Sequence, residues 1–148
     1  MPVFFGQAEQ DFGVCPLLAA ISAETPAPRI TAQRRGLTPN SEGKTLVQVL
    51  KNYYIPQGGR LSLVRVWQGQ LQDEAILNGN QRASGIYRLF GQQQEALPAA
   101  AMVEIVAVGR LESAKTGDTL TTASELTASL PKADPIAPVY ALAIAPEK

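Results

Sequence analysis

Only a few side chains in this 148-residue sequence are of types, and at spacings, that could do chemistry. Asp73 and Glu74 are adjacent carboxylates, the raw material for acid–base work. Neighbours along a chain tend to point apart, however, and the same pair is ordinary turn chemistry. Gly43-Lys44-Thr45 has the ending of a phosphate-binding loop. The glycine required at the head of such a loop falls on Thr38, and no apolar strand precedes it. Cys15 precedes a helix start, where the dipole favours a thiolate, but no base lies beside it in sequence, so an inert small residue is expected. Trp67 and the pair Tyr53-Tyr54 are of the kind that stack on bases in single-strand binders. Core packing and loop anchoring are the expected roles. The sequence has no His and one Cys. Ser–His and Cys–His catalytic pairs are therefore excluded, as are the commonest zinc ligand and an internal disulfide.

The arginines carry more. Thirteen basic residues balance thirteen acidic ones, but the zero is a sum of three unlike blocks. Residues 1–28 carry Glu9, Asp11 and Glu24 and no base, a charge of −3. Residues 29–88 set nine bases against Glu42, Asp73 and Glu74, a charge of +6. Residues 89–148 return to −3. A basic middle is the electrostatic signature of a face that meets phosphate, although arginines on exposed strands also solvate a sheet.

The elements that must position these side chains are mostly short strands. Pro2 to Phe5 reads as a strand running into Gly6-Gln7-Ala8. A polar loop and a short helix follow, with Pro16 in its first turn, Leu17, Leu18 and Ile21 along it and Pro26 and Pro28 to stop it. Residues 29–43 are polar, with Gly and Pro, and read as a linker. From Thr45 the texture changes to β-type runs between turn residues. Leu46 to Leu50 is the first, and Arg60 to Trp67 the strongest, its alternation slipping at Leu63-Val64 as at a bulge or in a strand buried on both faces at that point. After Ala75–Leu77, Asn78-Gly79-Asn80 is a hairpin turn signal, and Ile86–Phe90 is the next run. A Gln-rich interval, a strand over 103–108 and a short last strand near 119–120 complete the set. Six or so such runs predict a mainly β protein built as a closed antiparallel β-barrel, since closure removes exposed edges. A short N-terminal strand–helix appendage precedes it. Residues 124–138 read as a second linker, and 139–148 as a further strand. No run approaches the roughly 20 apolar residues of a spanning helix, and no secretory leader opens the chain. A cytoplasmic monomer without membrane contact is expected.

Three stretches, in order, resemble elongation factor G and its relatives among the translational GTPases. Gly58 to Leu71 (GGRLSLVRVWQGQL) resembles the signature strand of the family's domain II. Lys115-Thr116-Gly117-Asp118-Thr119-Leu120 resembles the Thr-Gly-Asp-Thr-Leu that closes the same barrel. Pro135 to Pro146 is similar to the entry to domain III. At the other end, Gly6-Gln7-Ala8 with Asp11-Phe12-Gly13-Val14 resembles the end of the G domain, where a Gly-Ser-Ala loop contacts guanine. Gln7 stands in place of that Ser. Between Asn78 and Ser84, only Arg82 remains where the family carries several basic residues, which implies a weaker RNA grip there.

The resemblance implies a translation-factor domain II barrel over 44–123. Residues 1–28 would be the tail of a G domain, 29–43 and 124–138 linkers, and 139–148 the first strand of domain III. It implies a fragment without P-loop or switch regions, hence non-catalytic and without cofactor, from a parent GTPase that uses GTP and Mg. Its partners would be the neighbouring G domain and domain III, and the ribosome through small-subunit rRNA during translocation. Gly6, Gln7 and Ala8 would be the remnant of a nucleotide site. Arg60, Arg65, Arg82 and Arg88 are the candidate RNA or interdomain contacts. The alternatives are an autonomous β-barrel module that binds protein or RNA, or the same domain from a ribosomal-protection protein or release factor.

Overall fold

The computed structural model describes residues 3–37, 43–55, 59–91, 93–124, 129–134 and 137. The chain opens with an irregular segment, a 3-10 turn at Ala8–Gln10 and helix α1, Val14–Glu24. Helix α2, Pro28–Arg34, follows directly. Among the described residues ten strands come next: β1 Leu46–Ile55, β2 Gly59–Gln68, β3 Leu71–Gln72, β4 Ile76–Leu77, β5 Gln81–Arg82, β6 Ser84–Phe90, β7 Gln93–Leu97, β8 Ala99–Ala100, β9 Ile105–Gly109 and β10 Thr119–Thr121.

Six strands form one antiparallel sheet in the order β10-β1-β2-β9-β6-β7. Two two-stranded ribbons, β3–β8 and β4–β5, complete the β structure. The protein is thus mainly β, as expected. Among the described residues, however, no ladder joins β7 to β10, so the strand pairs seen do not close a ring.

Alternation along β2 explains the core. Val64 and Val66 turn inward with Val47, Val49, Val106, Val108, Ile86 and Leu120 of the neighbouring strands, all at most 2% exposed. Leu71, Leu77 and Ala100 from the ribbons reach the same cluster. Each such aliphatic side chain contributes about 1.5–3 kcal/mol when fully buried. The slip at Leu63-Val64 corresponds to a bulge in the partner strand. Val49 pairs with Val64 and Lys51 with Leu63, leaving Leu50 as the extra residue. At that bulge the Val49 N–H donates to the Asp118 carbonyl (2.9 Å) and the Gly117 N–H donates to the Val49 carbonyl (2.7 Å). The Thr-Gly-Asp-Thr-Leu motif therefore occupies the edge of β1 where the bulge leaves it.

Two expectations need correcting, and two segments read as linkers carry structure of their own. Residues 3–6 form no strand: the nearest ladder-like contact is the single bridge between Gln7 and Phe12, and a strand needs a longer partner. The Gln-rich interval is strand β7, paired along its length with β6, because cross-strand pairing overrides a composition poor in β-formers. The segment 29–43 begins with a helix, and Ala32 and Leu37 are buried in a second apolar cluster with Leu46, Trp67 and Leu130. Pro28 at the first helical position gives that helix a preset start. Within 124–138, residues 129–134 are also anchored. The Leu130 N–H donates to Thr119 Oγ1 (3.0 Å), and Gln48 Nε2 donates to the Pro131 carbonyl (3.1 Å). The expected strand at 139–148 lies outside the described residues.

Candidate nucleic-acid interface

Strand register decides which arginines are free to meet a ligand. Positions 61, 63, 65 and 67 of β2 face away from the main core, because Val64 and Val66 face into it. Trp67 ends this outward row. It is 4% exposed, covered by α2 and Leu130, and its Nε1–H donates to Gln48 Oε1 (3.2 Å). Buried with its indole N–H already paired, Trp67 packs rather than stacks on bases, in keeping with the reading of its residue type. Two guanidiniums cover it: the Arg65 carbon lies 4.2 Å and the Arg35 carbon 4.7 Å from the ring centroid. Such contacts are within cation–π range. Neither arginine has a carboxylate partner among the described residues.

The other three candidates are engaged elsewhere. Arg60 donates through Nη1 to the Glu112 carbonyl and through Nη2 to the Ala114 carbonyl, pinning the loop after β9. Ala114 also accepts from Asn52 Nδ2 (3.2 Å), and Asn52 Oδ1 in turn accepts from Ser62 (2.7 Å). Arg82 pairs with Glu74, and Glu74 also accepts from Ser84 Oγ (2.7 Å). Arg88 reaches Glu95 at 3.5 Å on β7 and Glu104 at 3.2 Å. Asp73 and Glu74 thus do structural work in the turn before β4. The Asp73 carboxylate accepts the backbone N–H groups of Glu74 (3.0 Å) and Gly85 (2.8 Å).

Arg35 was not among the candidates drawn from the sequence. Its only local signal was membership of the basic block, since its ring partner lies 32 positions away. Lys51 is a second cation on the same side of the sheet. It pairs in register with Leu63 and lies 4.9 Å from the Tyr53 ring.

At the other end of the chain, Gly6, Gln7 and Ala8 lead into the 3-10 turn. The Gln7 N–H donates to the Phe12 carbonyl (2.9 Å), and the Phe12 N–H donates back to Gln7 (3.1 Å). The loop so closed borders an open crevice of about 260 Å³ whose walls include Phe4, Phe5, Phe12 and Leu17. Its lining is more apolar than a phosphate site would be.

Burial raises the Asp118 pKa, but the Lys115 N–H (2.8 Å) and the Lys132 ammonium (2.9 Å) outweigh that and hold it below the ordinary value. No group of three or more metal-ligating side chains lies together among the described residues. No helix among them is long and apolar enough to cross a membrane.

The bulged β1–β2 hairpin, the Thr-Gly-Asp-Thr-Leu edge and the arginine-bearing outer row all lie in one β domain, and it is this domain that comparison with known proteins identifies. Residues 45–123 match the family described as elongation factor G domain 2, starting one residue before β1 and ending two after β10. The chain belongs to that family. It is 53% identical, over all 148 residues, to an elongation factor G-like protein of Synechocystis sp., of whose length it covers 22%. It is 28% identical to elongation factor G 2 of Geobacter metallireducens, with 81% of this chain and 20% of that protein aligned. A crystal structure of a protein from Thermus thermophilus superposes with a TM-score of 0.58 at 25% identity, over 80% of this chain and 17% of that one. The chain therefore spans about a fifth of the length of these relatives.

Proposed function

We propose that this chain is the non-catalytic β domain of an elongation factor G-like translational GTPase, and that it links the GTP-binding domain to small-subunit rRNA during translocation. The observation that carries this reading is the match of residues 45–123 to elongation factor G domain 2. The sheet and its ribbons would close as a barrel. Residues 1–28 would be the end of a G domain and 139–148 the start of domain III, with GTP and Mg held by the parent and not by this part. Gly6, Gln7 and Ala8 would border the guanine site, and their apolar surroundings would receive the rest of that domain. The setting would be cytoplasmic and the protein a monomer.

The test is directed hydroxyl-radical probing. In the full-length protein with Cys15 and every other native cysteine replaced, a single cysteine placed at Ile105, which is 49% exposed, would hold a tethered iron chelate. Ribosome complexes should show cleavage of small-subunit rRNA near that position. Cleavage confined to large-subunit rRNA, or none, would overturn the reading.

A further inference from the structure

The two arginines that cover Trp67 differ from their neighbours in what they lack. Arg60, Arg82 and Arg88 each have oxygen partners within the chain. Among the described residues, Arg65 and Arg35 have only the Trp67 ring as a partner; the Arg65 Nε, like that of Arg60, is buried with no acceptor. A guanidinium stacked on an aromatic face keeps its in-plane N–H donors directed sideways, where a planar fork can grip two oxygens. Two like charges over one buried ring, without a carboxylate among the described residues, leave a concentrated positive field on the outer face of β2. Lys51 extends that field along the neighbouring strand, on the far side of the bulge from the Gln48–Arg65 pair.

We propose that Arg35 and Arg65, held by Trp67, form the phosphodiester-gripping site of this domain, and that α2 completes it by bringing Arg35 to the sheet. The site rests on the ribosome reading above for its biological partner, RNA. Phosphate suits it better than an acidic side chain does. Carboxylates of this chain have settled on Arg82 and Arg88, whereas the two guanidiniums at Trp67 have no carboxylate among the described residues and present planar donor forks of the kind that phosphate oxygens accept. Trp67 here orients the arginines and touches no base. Arg35 and Arg65 are the contact residues.

The test titrates the 148-residue chain into a fluorescein-labelled single-stranded RNA of about 20 nucleotides and an RNA duplex of about 16 base pairs, read by anisotropy across a salt series. Emission from Trp67, the only tryptophan, reports on the site. Arg35→Gln and Arg65→Gln should each weaken RNA binding about tenfold at low salt and lower the log–log salt slope by about 0.7–1. Arg82→Gln and Arg88→Gln should change affinity by less than about twofold, because both side chains are already paired. Arg65→Lys should restore most of the slope, which a purely structural stacking role would not. Thermal melts of each variant separate lost binding from lost folding.

Equal losses at Arg82 and Arg88, or no loss at Arg35 and Arg65, would overturn the site. So would displacement of Trp67-linked binding by polyglutamate but not by RNA, which would point to an acidic protein instead. Normal ribosome cleavage patterns in a full-length Arg35→Gln/Arg65→Gln variant would sink this site and leave the ribosome reading standing. Arginine-dependent RNA binding without ribosome cleavage would sink that reading and leave the site.

Discussion

The β domain and the N-terminal helical unit are built from similar apolar side chains and treat them in opposite ways. In the β domain, fourteen residues form one cluster, each at most 2% exposed. In α1 no residue is buried, and Leu18 and Ile21 stand 59% and 52% exposed beside Phe5 at 83% and Phe12 at 67%. The sheet has a second layer in the two ribbons, whose Leu71, Leu77 and Ala100 join the same cluster. A single helix on an irregular segment has no such layer to fold against. Apolar content alone does not make a core; a surface of the right shape must face it. The first unit is thus stabilised locally by turns and helix bonds, and the second by cooperative burial.

Substitutions can break or sharpen that contrast. The largest effect belongs to Leu71→Ala in the fully buried core, which should cost about 2–5 kcal/mol in denaturant titration. Leu18→Ala, the same change in α1, should stay within about 0.5 kcal/mol. Comparable losses at the two sites would erase the distinction.

A smaller effect is expected at Gly69, in the matched signature. Its φ is +67°, and a Cβ there would lie 2.5 Å from the Lys44 carbonyl oxygen. Gly69→Ala should therefore cost about 1–3 kcal/mol through strain alone. A neutral result would mean that the turn relaxes freely.

The smallest is electrostatic. Since the folded pKa of Asp118 is depressed, its contribution is present above the unfolded value and fades as pH falls through the folded one. Asp118→Asn should lower stability by about 0.5–1 kcal/mol at neutral pH, with the gap to the parent closing as pH drops below 3.8. A gap that persists in acid would assign the loss to geometry rather than charge.

Much of this architecture is legible in the residues, for identifiable reasons. The β2 run, the Asn78-Gly79 turn and the Thr-Gly-Asp-Thr-Leu edge rest on local chemistry: alternation, positive φ at Asn78 and Gly79, and a carboxylate closing its own turn. The basic block is visible too, but its division into engaged and free arginines is not. Glu95 and Glu104 reach Arg88 only because β7 and the approach to β9 fold alongside β6, and a count along the chain cannot register that pairing. Helix α2 escapes a sequence reading because its seven residues offer little apolar pattern. What buries Ala32 is Trp67, far along the chain, so the reason for the helix's position lies outside it.

The anchoring of residues 129–134 has a mechanical consequence. Leu130 holds Thr119, Pro131 holds Gln48, and Lys132 holds Asp118. These three attachments lie on and beside two adjacent strands and would be loaded side by side by a pull on the segment. A tug there would therefore load β1 and β10 together and not one strand alone.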